Sequence, residues 1–269
     1  MELVFQLLDC DYILLNNSPL LRLFGKTKEG KVVCAFYKNF YPYFYILPKK
    51  GKEDEIIRFL EKNYSNLVLA IRKVFKFLPI GFQKNKTKLL KIFLRDPSKV
   101  PKIREDLREK VENLFEADIL FKYRFMADFS LSGLGWVKVK GKPTNTNSVR
   151  SERNVEAEEI RSISLEGNAP LKYMAIDIEV VPKKEGLPDS KRDPVILIGI
   201  SFYPAFNNSN TLVLVARRTK KRKDILPFEN EKEMLEEFLR IVERFDPDII
   251  VGYNINTVSY THLRAHETE

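Results

Sequence analysis

The chain has 269 residues and an ordinary apolar content, enough for two domains with cores of their own. Its formal net charge of +9 points to a polyanionic partner, nucleic acid first, or to a lysine-rich solvated surface. Two cysteines, Cys10 and Cys34, argue against a disulfide framework and a cysteine zinc site, and no apolar run reaches the roughly 20 residues that a bilayer-spanning helix needs. The first ten residues carry acids where a signal peptide needs a basic start, so a cytoplasmic protein with no membrane partner is expected.

Residues 1–140 read as a mixed α/β domain. Val4–Leu15 and Leu20–Phe24 pattern as strands around the turn Asn16-Asn-Ser-Pro19. Lys31–Tyr37 and Pro42–Leu47 follow as two more. A short helix is expected over Glu53–Asn63, with Ile56, Ile57, Phe59 and Leu60 as its apolar side. A longer one is expected over Val100–Leu114, because Ile103, Leu107, Val111 and Leu114 recur at helical spacing and Pro101 stands in the first turn. Lysines gather at Lys84, Lys86, Lys88 and Lys91. The polar, turn-forming stretch Gly141–Ser148 and the charged run Glu152–Glu159 predict a linker over residues 141–168.

The second domain is expected over residues 169–256. Its first strand, Lys172–Val180, carries Asp177 and Glu179 two positions apart, and alternation along a strand puts both on one side. Two acids on one face repel each other unless a cation sits between them. Mg²⁺ and Mn²⁺ are the hard ions that take such ligands, and a pair of them is the usual apparatus for cutting a phosphodiester. The alternative is a strand end that happens to carry acids. Strands over Val195–Tyr203 and Thr211–Val215 follow, then the basic cluster Arg217–Lys223. A helix is expected over Glu231–Phe245, with Asn230 and Glu233 spaced as a capping box. Asp248–Gly252 closes the series as a buried strand. Three strands, a helix and a strand, with acids on the first, make the opening of a ribonuclease-H-like fold.

Asp177-Ile-Glu179 followed by Asp246-Pro-Asp-Ile-Ile-Val-Gly-Tyr-Asn254 resembles family B DNA polymerases, especially archaeal ones. The first motif resembles their first proofreading motif and the second leads into their second. Asp11-Tyr12, Leu21-Arg-Leu-Phe24, Phe40-Tyr-Pro-Tyr43, Asp96-Pro97 with Val100-Pro101, and Phe121-Lys-Tyr-Arg124 resemble their amino-terminal domain. The likeness runs from residue 3 to residue 256. It implies an α/β chain, with an α+β amino-terminal domain before a truncated ribonuclease-H-like 3′→5′ exonuclease domain. It implies Asp177 and Glu179 as ligands of Mg²⁺ or Mn²⁺, with Glu179 also orienting the attacking water. Tyr253 and Asn254 would contact the single-stranded 3′ end of a primer–template. By motif position, Tyr12, Pro42, Pro97, Val100, Phe121 and Arg124 would line a pocket for template uracil, with Arg124 holding a phosphate.

The chain departs from that family at its end. The aspartate expected near residue 259 is Ser259, and residues 257–269 match nothing expected, which reads as a non-native junction. His262 and His266 lie there at i, i+4 without the Glu or third ligand of a zinc site. The resemblance therefore implies the amino-terminal third of a polymerase, holding two of the four exonuclease acids and none of the polymerase active site. Alone it is expected neither to polymerise nor to proofread efficiently. A sliding clamp would be met only through the family's carboxy-terminal segment.

Overall fold

The computed structural model describes residues 1–79, 81–146, 148–182, 189, 192–220 and 222–253. Asn254 and the stretch 257–269, with Ser259, His262 and His266, lie outside the described residues. The chain forms two compact units, Met1–Ala169 and Pro170–Glu269.

Unit 1 begins with β1 (Glu2–Leu15) and β2 (Ser18–Lys26), a hairpin whose turn residues Asn16 and Asn17 take the positive φ that asparagine tolerates. Then come β3 (Val32–Tyr37), β4 (Tyr43–Pro48), α1 (Glu53–Tyr64), β5 (Val68–Lys76), β6 (Thr87–Leu94), α2 (Val100–Leu107), β7 (Val111–Phe115), α3 (Phe121–Asp128), β8 (Trp136–Pro143) and β9 (Arg153–Ile163). Strands β1-β2-β3-β9-β8 close into a barrel, and β5-β6-β4-β7 form a separate sheet. The barrel core holds Phe5, Leu7, Leu21 and Leu23 with Phe121 and Phe125 from α3. The second core joins Ile46, Leu90, Ile92 and Leu94 to Ile56 and Leu60 of α1 and Ile103 and Leu107 of α2.

Two expectations are corrected here. The helix ends at Leu107, not Leu114. The N–H of Arg108 donates to Glu105 and that of Lys110 to Leu107, which tightens the turn, and Val111–Phe115 pairs antiparallel with β4. Val111 and Leu114 fit the helical stripe because they feed the same core as Ile103 and Leu107. The stretch 141–168 is not a linker, since it contains β9, which pairs with β8 and with β3 and closes the barrel. Its charged residues face solvent while Val155, Ala157 and Ile160 are buried. The shift from a two-residue to a three-residue interval reflects a bulge between Lys140 and Gly141, and it hides the strand pattern. Gly141 is required there, because a Cβ would lie 2.0 Å from the Glu156 carbonyl oxygen.

Cys10 and Cys34 are buried on β1 and β3, and burial pushes each thiol up to about 12. Neither is expected to react with a disulfide reagent near neutral pH until unit 1 unfolds; fast labelling of the folded chain would contradict their placement.

Unit 2 runs β10 (Tyr173–Val180), β11 (Val195–Phe206), β12 (Ser209–Val215), β13 (Ile225–Pro227), α4 (Glu231–Phe245) and β14 (Ile249–Val251). The sheet order is β13-β12-β11-β10-β14, so β10 is an interior strand, antiparallel to β11 and parallel to β14. Asn230 caps helix α4 as expected, its Oδ1 accepting from the Glu233 N–H at 3.0 Å; the Glu233 carboxylate reaches back to the Asn230 side-chain amide at 3.2 Å and the Glu229 N–H at 3.3 Å. Met234, Phe238, Ile241 and Phe245 pack on Met174, Ile176, Ile198, Ile200 and Phe202. Leu239 is half exposed, whereas Ile241 is buried on that face. Among the described residues no helix is long and apolar enough to cross a membrane.

Candidate functional site

Alternation along β10 decides where its carboxylates stand. Met174 and Ile176 point into the core under α4, so Asp177 and Glu179 belong to the other face and are exposed. Their Cα atoms are about 6.6 Å apart by strand geometry. Gly199 lies opposite Asp177 on β11, and a Cβ there would meet only the Asp177 carbonyl oxygen, at 3.9 Å. The ground beside Asp177 is therefore open on the neighbouring strand. Asp177 Oδ1 accepts from the Ile178 N–H at 3.1 Å.

The Asp246-Pro-Asp248 run sets β14 beside β10. Asp246 adopts a left-handed conformation and its N–H donates to Val242 at 2.8 Å, ending α4. Asp248 Oδ2 then accepts from the Lys172 N–H at 2.7 Å, and Lys172 Nζ donates to the Phe245 carbonyl at 2.6 Å. These acids are structural, and they bring Tyr253, 86% exposed, to the end of the strand beside β10.

As hard oxygen donors on one open face, Asp177 and Glu179 suit Mg²⁺ or Mn²⁺. Among the described residues no group of three or more His, Cys, Asp or Glu that could hold a metal ion is found, so these two carboxylates stand without a third such ligand.

The other predicted residues meet in unit 1. Tyr12, Pro42, Pro97, Val100, Phe121 and Arg124 all line one cavity of about 410 Å³, the size of a small-ligand pocket. Tyr12 comes from β1, Pro42 precedes β4, Pro97 begins a 3-10 turn capped by Asp96, Val100 opens α2, and Phe121 and Arg124 lie on α3. Tyr12 and Phe121 meet edge to face at 5.1 Å, which fixes one wall.

Arg124 is not an open cation. Its Nη2 donates to Glu116 at 2.5 Å, its Nη1 donates to the Tyr43 hydroxyl at 3.3 Å and lies 3.7 Å from Asp128, and its Nε is buried without a partner. Tyr43 donates its hydroxyl to Asp128 at 2.7 Å, and burial together with that carboxylate raises its pKa. Sequence reasoning missed Glu116 and Asp128. The i, i+4 spacing of Arg124 and Asp128 was the available signal for one of them; nothing in the sequence pointed to Glu116, which sits at a positive φ between β7 and α3.

The chain is similar to known proteins along most of its length. The model of the DNA polymerase family B exonuclease domain matches residues 112–268, crossing the stretch 257–268 read above as a junction. DNA polymerase 2 of Aeropyrum pernix is 30% identical over 275 residues, covering 97% of this chain and 32% of its own length. The DNA polymerase delta catalytic subunit of Arabidopsis thaliana is 30% identical over 303 residues, covering 94% and 28%. The solved family B DNA polymerase of the hyperthermophilic archaeon Pyrobaculum calidifontis is similar at a TM-score of 0.72 and 25% identity, over 97% of this chain and 32% of that one. The chain thus spans about a third of the length of these relatives. With a family match over more than half its residues, the chain belongs to DNA polymerase family B.

Proposed function

We propose that this chain is part of a cytoplasmic DNA-directed DNA polymerase of replication and repair, and that its second unit contributes the opening strands of a 3′→5′ proofreading exonuclease. Primer–template DNA is the partner, and a sliding clamp is a partner of the longer polymerase. The observation that carries this reading is the placement of Asp177 and Glu179 on the open face of an interior strand in a family B chain.

In that role Asp177 and Glu179 hold Mg²⁺ or Mn²⁺, which when bound offsets the charge that develops on the phosphate under attack. Glu179 orients the attacking water. Tyr253 offers a stacking face to a base at the frayed primer end, and Asn254 contacts the same strand. By itself the chain is expected to trim DNA poorly, since its described residues supply two donors. The test is trimming of a mispaired 3′ end by the polymerase that carries this segment, with and without Asp177→Ala and Glu179→Ala.

A second reading concerns unit 1 and is favoured by the meeting of six motif residues at one cavity. In it, the cavity takes an unpaired template base, and the walls made by Pro42, Pro97 and Val100 admit uracil while excluding the thymine methyl by size. Arg124 shapes the wall through Glu116 and Tyr43; to hold a phosphate it would have to exchange Glu116 for it. A single-stranded oligonucleotide with one uracil is expected to bind about tenfold tighter than its thymine counterpart. Val100→Phe, which fills the cavity, should erase that difference. Equal binding of the two oligonucleotides by the unaltered chain would sink the reading.

A further inference from the structure

The hairpin of β5 and β6 carries a surface that neither the β10 carboxylates nor the cavity uses. From Val68 to Leu94 the sequence contains no aspartate or glutamate, yet it is dense in lysine. Glu53, at the start of α1, engages Lys73 and Lys88 at 2.6 Å each. Lys91 lies 3.4 Å from the Tyr43 ring centroid, where burial lowers its pKa. That accounts for three of the cations. Arg72, Lys76, Lys84 and Lys86 form no ion pair among the described residues.

A lysine-rich hairpin alone would be an ordinary solvated face. The departure is its aromatic content. Phe75, Phe77 and Phe82 are 63%, 56% and 94% exposed, although phenylalanine is among the residues most often buried. Lys86 Nζ stands 5.6 Å from the Phe77 ring centroid, so a cation and a ring face lie side by side. The Leu78 N–H donates to Gln83 Oε1 at 3.0 Å across the hairpin.

Unpaired cations interleaved with exposed rings are what a single strand of nucleic acid requires: phosphates on the lysines, bases on the rings. We infer that the β5–β6 hairpin docks single-stranded DNA, with Lys76, Lys84 and Lys86 against phosphates and Phe77 and Phe82 under bases. This goes beyond the proposed function, since it shares no residue with the β10 acids or the cavity. It would stand if either of those readings failed.

The test is fluorescence anisotropy of the full chain with a labelled oligothymidine, which offers no uracil to the cavity. Lys84→Ala/Lys86→Ala should weaken binding about tenfold at low salt and reduce the slope of log affinity against log salt by about 1.4. Phe77→Ala/Phe82→Ala should weaken it at least about fivefold with the slope unchanged. All four side chains are exposed, and Trp136 emission checks that both variants fold. Unchanged affinity in the phenylalanine pair overturns the inference, whether the lysine pair weakens binding (charge attraction alone) or not. A phenylalanine pair that abolishes self-association in sedimentation while leaving DNA affinity intact overturns it in favour of a second copy of the chain.

Discussion

Phe125→Ala is expected to lower the stability of unit 1 by about 3–5 kcal/mol, the cost of truncating a fully buried phenylalanine. Phe125 has no exposed surface and sits where α3 enters the barrel core. Its ring lies 4.7 Å from Phe129, 5.2 Å from Phe40 and 5.8 Å from Tyr37, centroid to centroid. Truncation removes three ring contacts at once and leaves a hole that a closed barrel cannot collapse to fill. Because domains are typically stable by only about 5–15 kcal/mol, this is a large share of the total. The chain provides its own probe: Trp136, the only tryptophan, is buried on β8 and donates its indole N–H to the Gly167 carbonyl at 2.9 Å. Its fluorescence reports unit 1 without a tryptophan signal from unit 2. The urea midpoint should fall by about 1.5–2.5 M. Phe82→Ala, at an exposed tip in the same unit, should change stability by less than about 0.5 kcal/mol. A shift of less than about 1 kcal/mol for Phe125→Ala would mean that α3 is not part of the barrel core.

How far the sequence could be read depended on whether local pattern and tertiary role agreed. Helix α4 was legible to the residue, because Asn230 and Glu233 cap it and a heptad-like stripe faces the sheet. The side taken by Asp177 and Glu179 was legible for a similar reason: strict alternation survives along β10 up to the register shift after Glu179. Legibility failed at bulges. The shift at Gly141 hid β9, and the shift between Leu47 and Pro48 falls where β4 pairs with β7, the strand that passed for the end of a helix. The cavity was legible only through family resemblance. Its walls come from β1, β4, α2 and α3, and no spacing rule links positions so far apart in the chain. Distance along the chain also concealed the part that Tyr43 plays in the Glu116–Arg124–Tyr43–Asp128 network, whereas its Arg124–Asp128 pair was open to a spacing rule. The network converts an arginine expected to be available for phosphate into one already neutralised.

Asp177→Ala/Glu179→Ala should reduce 3′→5′ hydrolysis by the polymerase containing this segment about 10³-fold or more, while leaving primer extension unchanged. Physical chemistry separates this outcome from mere structural damage through the sign of a second measurement. Two carboxylates on one exposed face, on residues whose Cα atoms are about 6.6 Å apart, repel each other by less than about 1 kcal/mol in water, so removing either should leave unit 2 as stable or slightly more stable without metal. With metal the order reverses. An ion at ten times its dissociation constant stabilises the unaltered chain by about 1.4 kcal/mol, and the double variant loses that gain. Acids kept for the fold would behave oppositely, as Asp248 should: its carboxylate accepts the Lys172 N–H, so Asp248→Ala would loosen β14 from β10 whatever the metal concentration. Thermal unfolding with and without Mn²⁺ therefore discriminates between two kinds of acid in one sheet. If the β10 double variant were destabilised without metal and indifferent to its addition, Asp177 and Glu179 would be structural acids and the exonuclease reading of this strand would fall.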